Sequence, residues 1–186
     1  MPKIRAVLLL VSLAFAASCG DDDNLADPTV ENDVDTLPPI GSLTDTPINT
    51  PSGFSVTAGG VRTDQTTDFD FAFDILGDPD TGQTVFVPRA VLGISSPNSA
   101  DPGIMRRDEP FDAIERAPSN GYITEDIVPV EVGERFLVRS RVICNLGVPV
   151  YAKVEVLRFE DNSVVLKVLA NTNCGYRDLQ PGFPDR

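Results

Sequence analysis

Residues 54–186 predict an all-β domain, a single immunoglobulin-like or related β-sandwich with one short helix. Three observations carry this expectation. Short alternating apolar runs are separated by Gly, Pro, Asn and Asp. In the clearest run, residues 68–76, Phe69, Phe71, Phe73 and Ile75 fall on one face and Asp68, Asp70 and Asp74 on the other. The patterned stretch from residue 54 to about 178 is about 125 residues, a size that buries roughly two-thirds of its unfolded surface, so one core suffices.

In chain order, Lys3 and Arg5 precede the apolar stretch 6–15 and the small residues Ala16-Ala17-Ser18, followed by Cys19. This order matches a secretory signal, and the stretch is short of the ~20 apolar residues of a membrane span. The ending Ala16-Ala17-Ser18-Cys19 resembles the lipobox of bacterial lipoproteins, with Ala16 where that family usually carries leucine. The resemblance implies removal of residues 1–18, a diacylglycerol thioether on Cys19 and stable membrane attachment through two or three acyl chains. Gly20 is not the aspartate that retains some lipoproteins at an inner membrane, so an outer-membrane position is expected. Ordinary cleavage after Ala16 is the alternative and would leave Cys19 as a spare thiol. Residues 19–53 read as a lipidated, acidic, Pro/Thr-rich disordered tether. Residues 20–53 have no aromatic or basic side chain and no sustained apolar period to offset ordering. Fully extended, such a tether would span on the order of 100 Å.

Within the domain, residues 77–82 form a turn after the Phe-rich strand. Residues 84–94 return as a strand in which Pro88 marks an edge or a bulge. Asp108-Glu109-Pro110 followed by Phe111, Ile114 and Ala117 has the cap, early proline and spacing of a short helix. Residues 127–132 and 135–144 flank Gly133-Glu134 as a hairpin. Their parity calls for a bulge or a longer connection that sets Val132 opposite Phe136 and Val130 opposite Val138. Residues 148–157 and 163–172 form a second hairpin across Glu160-Asp161-Asn162. Lipidation of Cys19 leaves Cys144 and Cys174 as an even pair, expected to form a disulfide in an oxidising compartment. If their strands lie next-but-one in one sheet, the bridge must cross between sheets or close beyond the strand ends.

Without residues 1–18 the chain keeps 13 basic and 28 acidic side chains, a formal net charge of -15. That balance excludes nucleic acid as a partner. Histidine is absent, which removes Ser-His-Asp and Cys-His catalysis and histidine metal sites. Asp78-Pro79-Asp80-Thr81-Gly82 resembles the start of a calcium loop. The later ligands of that pattern are missing, so a polar turn is expected, with Asp74, Asp78 and Asp80 as the candidate calcium ligands. Arg135, Arg139 and Arg141 share a strand face, with Lys153 and Glu155 beside them, and solvated cross-strand pairs account for them. The sequence thus reads as a membrane-anchored envelope lipoprotein whose β-sandwich binds or supports, without catalytic activity or cofactor. Its partners are the membrane, through the lipid, and a protein or glycan of the envelope. The alternative is a calcium-assisted or carboxylate-based carbohydrate-active enzyme or a glycan-binding module.

Overall fold

The computed structural model describes residues 25–96, 99–145 and 147–185. The signal and lipobox readings, Cys19 included, lie outside these residues. The strands are β1 Val34–Thr36, β2 Ile40–Gly41, β3 Gly53–Ser55, β4 Gly59–Val61, β5 Phe71–Leu76, β6 Gln83–Pro88, β7 Gly103–Arg107, β8 Val128–Pro129, β9 Arg135–Arg139, β10 Tyr151–Glu160 and β11 Ser163–Asn171. They form two antiparallel sheets, as the alternating runs predict. One has the order β1-β11-β10-β9-β7 with β2 also on β11, and the other β4-β3-β5-β6-β8.

Alternation dictates what lies between the sheets. Phe71, Phe73 and Ile75 of β5 and Phe86 of β6 meet Phe136, Val138, Val154, Val156, Val164 and Leu166 from the opposite sheet. The rings of Phe71 and Phe86 lie 4.4 Å apart, and Phe86 meets Phe136 edge to face at 5.4 Å. Burying each such ring contributes on the order of 2 to 3 kcal/mol. A second, smaller apolar layer covers the outer face of the larger sheet. There Leu137, Tyr151 and Leu169 pack under Phe111, Ile114, Ala117 and Leu179.

Four expectations need correction. Residues 25–53 are not a disordered tether. β1 pairs with β11, setting Val34 opposite Leu169, and β2 caps the same strand by pairing Ile40 with Val164. Ile40 is wholly buried, as is Asn32 just before β1. A segment poor in apolar residues is ordered here because strand edges offer it backbone partners, which no local sequence pattern displays.

The helix expected after Asp108 is a single 3-10 turn, Phe111–Ala113, because Ile114 already turns to an extended conformation. Phe111, Ile114 and Ala117 nonetheless all point into the outer apolar layer, which explains their helix-like spacing.

Residues 127–144 do not form a hairpin. β8 pairs with β6 in the smaller sheet, whereas β9 pairs with β10 and β7 in the larger. Gly133, at φ 84°, turns the chain from one sheet to the other, and its N–H donates to the Val156 carbonyl at 2.7 Å. Val128 and Val130 therefore face Phe136 and Val138 across the core. The parity conflict is resolved by changing sheets rather than by a bulge.

Lastly, the basic stripe is not built of cross-strand pairs, as described below. The hairpin of β10 and β11 has the expected place, turning at Asp161 and Asn162, both at positive φ. Pro88 ends β6 opposite Phe71, beyond the reach of β8, which pairs only with Val85 and Phe86. Its missing N–H falls where the ladder has already narrowed.

Candidate functional site

The sandwich has two unlike poles. At one, the turn after β5 and the β10-β11 turn come together, so that Pro79, Asp80 and Gly82 share a shallow hollow with Phe159, Glu160, Asp161 and Asn162. At the other, Cys144 and Cys174 form a disulfide with a Cα separation of 5.8 Å. Both cysteines lie past their strand ends, since β9 stops at Arg139 and β11 at Asn171. The bridge thus closes a loop at the pole, unlike the inter-sheet bridge through the core of an antibody domain.

Next to the bridge residues 26–32 are fastened to residues 171–182 by polar side chains. The Asn173 carbonyl oxygen accepts the Thr29 N–H at 2.8 Å and the Val30 N–H at 3.1 Å, and its amide nitrogen donates to the Val30 carbonyl at 2.8 Å. Asn171 positions Asn173 through a 3.0 Å side-chain bond and donates to the Asp178 carbonyl at 2.7 Å. Asn32 donates to the carbonyls of Asp178 and Gln180 and exchanges backbone bonds with Gly182. The Tyr176 hydroxyl donates to the Ala26 carbonyl at 2.9 Å. Leu25 fits against Gly175, where a Cβ would lie 2.8 Å from the leucine side chain, and Gly175 also needs its φ of 80°.

A hollow of about 450 Å³ opens at this pole, lined by Ser99, Ser119, Asn120, Arg139, Ser140, Gly147, Pro149 and Tyr151, among others. Its size is within the range of small-ligand sites. Its cation is already engaged: Arg139 donates to the Asp101 carbonyl at 2.9 Å and the Ser119 carbonyl at 3.3 Å, and its guanidinium lies 4.9 Å from the Tyr122 ring centre. Burial pushes the Tyr122 phenol far above its usual range and raises Tyr151 as well. Both phenols stay neutral. The Ser140 hydroxyl donates to the Arg141 carbonyl and accepts the Val150 N–H, so it has no base to activate it.

Of the other arginines of the stripe, one acts in the same way and one forms an ion pair. Arg135 donates to the carbonyls of Gly133 and Asp108 and so holds two loops to β9. Arg141 pairs with Asp68 at 2.9 Å. Lys153 is buried on the outer face, donates to the Ile114 carbonyl at 2.9 Å and lies 4.7 Å from the Phe111 ring centre. Burial lowers its pKa. Lys153 lies opposite Leu137 and Glu155 opposite Arg135, yet the cations reach for carbonyls rather than for Glu155. Satisfying the loops laid over the sheet takes precedence over cross-strand pairing.

Asp74 is engaged apart from Asp78 and Asp80, which meet within one turn. Asp74 is buried and accepts the Ser42 hydroxyl at 2.6 Å and the Thr44 hydroxyl at 3.0 Å, two residues of the segment expected to be disordered. Asp78 stabilises its own turn by accepting the Asp80 N–H at 3.0 Å. Among the described residues no group of three or more His, Cys, Asp or Glu side chains is placed to hold a metal.

The carboxylate with the most altered chemistry was not singled out from the sequence. Asp70 is buried at the disulfide pole, accepting the Val56 N–H at 2.8 Å and the Arg141 N–H at 3.2 Å on its two oxygens. Burial drives its pKa up to about 6, against the opposing pull of those N–H groups and of Arg141 and Arg89. Its place in the acidic half of an alternating strand marked it as solvent-facing, and only the loops that fold over that face reveal otherwise. With both oxygens given to backbone, Asp70 fastens the first sheet to the second.

Comparison with family models, with curated proteins and with solved structures finds no match to this chain.

Proposed function

We propose that this is an exported lipoprotein of the bacterial cell envelope, held in the membrane through Cys19, whose β-sandwich performs binding or structural work without catalysis. The observation that carries the reading is how the cysteines divide. The lipobox-like ending accounts for Cys19, and the remaining two are joined as Cys144–Cys174, a bond suited to an oxidising compartment. A non-catalytic role is supported by the absence of histidine and by the engagement of the buried carboxylates, Asp70 by backbone N–H groups and Asp74 by hydroxyls. The hollow beside the disulfide is the place for a polar partner such as a glycan.

Metabolic labelling with an alkyne fatty acid tests the anchor. Wild type takes the label and sediments with membranes, whereas Cys19→Ala takes none and is released. An unlabelled wild type, or a Cys19→Ala protein that stays in the membrane fraction, overturns the lipoprotein reading.

A further inference from the structure

If Cys19 is lipidated, the clamp between the chain ends determines how the domain meets the membrane. Residues 26–32 are fastened to the disulfide pole by Tyr176, Asn173 and the Gly182 backbone. Leu25 already touches Gly175. Only residues 20–24 separate that contact from Cys19. However those residues are arranged, covalent geometry limits the reach from Cys19 to Leu25 to about 20 Å. The nine residues of β11 run away from this pole, which places the Asp161 turn roughly 30 Å farther off.

We infer that the disulfide pole is the membrane-facing pole and that the domain rests against the lipid headgroups instead of standing off on a long stalk. The inference builds on the lipid-anchor reading and adds to it a surface and an orientation. The hollow lined by Ser119, Asn120 and Arg139 lies at the same pole.

The test uses the full lipidated chain in vesicles of phosphatidylethanolamine and phosphatidylglycerol that carry an acceptor dye on a headgroup. A donor dye is attached to a single introduced cysteine, either Thr29→Cys at the disulfide pole or Asp80→Cys at the far pole; both native residues are exposed. Transfer is expected to be severalfold more efficient from position 29. Inserting about 30 Gly/Ser residues between 24 and 25 is expected to remove most of that difference, because such a linker averages some 30 Å by itself. Equal transfer from the two positions without the insertion overturns the orientation. Mass spectrometry of the same sample separates the two readings. An acylated protein that floats with the vesicles but shows equal transfer sinks the orientation alone, whereas a chain without acyl groups sinks the anchor and the orientation with it.

Discussion

The space between the sheets and the clamp at the disulfide pole hold the chain by different means. Between the sheets, Phe71, Phe73, Phe86, Phe136 and their aliphatic neighbours are interchangeable in kind, and stability follows the apolar area removed from water. At the clamp, Asn32, Asn171 and Asn173 hold particular N–H and carbonyl groups of residues 29–32 and 178–182, with little apolar surface between them. The core is directionless and tolerant of neighbours. The clamp is directional and depends on each amide reaching its named partner. The core therefore sets how stable the domain is, while the clamp sets where its N-terminal segment lies.

The largest effect is expected in the core. Phe71 is wholly buried, with its ring 5.1 Å from Phe54 and 4.4 Å from Phe86. Phe71→Ala is expected to lower unfolding free energy by about 3 to 5 kcal/mol, measured by denaturant melts. A loss below ~1 kcal/mol would show that the sheets do not meet through these rings. Replacing both Cys144 and Cys174 by alanine comes next. The bridge spans a separation of 30 residues, and chain entropy assigns it about 3 to 4 kcal/mol. Because that bond lies at the pole and not between the sheets, near-UV signals of the buried phenylalanines should survive its loss at low temperature.

Asp70 joins the two modes, since a polar group lies where the sheets come together. Its folded-state pKa of about 6 exceeds the ordinary 3.8, so between those values the folded protein binds more protons than the unfolded. Unfolding free energy therefore falls as pH rises through about 4 to 6, and the cost persists above it. The full change is on the order of 2 to 3 kcal/mol. Asp70→Ala is expected to be less stable at pH 4, having lost the acceptors for Val56 and Arg141, and to lack this component of the pH slope. Measuring wild type against the variant across pH 3.5 to 7.5 isolates it from the general repulsion of an acidic chain. Parallel profiles would refute the assignment.

The same contrast explains what could be read from the sequence. Residues 68–76 displayed their strand because one face must be apolar, and Phe69, Phe71, Phe73 and Ile75 are all buried. The β10-β11 hairpin was equally legible, since Asp161-Asn162 accepts the positive φ that its turn requires. Where two sheets both bury even-numbered positions, however, alternation cannot tell a hairpin from a crossing, and Val128, Val130, Phe136 and Val138 fit either. The position of the disulfide past its strand ends was one of two routes that spacing allowed. Asn173 gave no local sign of its role, because its partners Thr29 and Val30 are 144 and 143 residues away. Asp70 reads from the sequence as part of the polar face of a strand, whereas it lies just ahead of β5 and is buried.

The smallest expected change in stability probes the clamp most selectively. Asn173→Ala removes the acceptor for the Thr29 and Val30 N–H groups and the donor to the Val30 carbonyl, while leaving every core side chain in place. The net cost of such bonds, partly refunded by water at an exposed segment, is about 1 to 2 kcal/mol in global melts. The local effect is expected to be larger in kind. Amide exchange at Thr29, Val30 and Asn32 should accelerate while the amides of β10 and β11 keep their protection, since the segment can open without parting the sheets. Asn173→Gln preserves the amide but moves it by one methylene, and it should fail almost as fully, because position rather than chemistry is what Asn173 contributes. If exchange rises uniformly across the domain instead, the clamp and the core are one cooperative unit. In the opposite case, residues 25–32 open on their own while the sandwich stays folded, and the clamp is a separate, weaker unit.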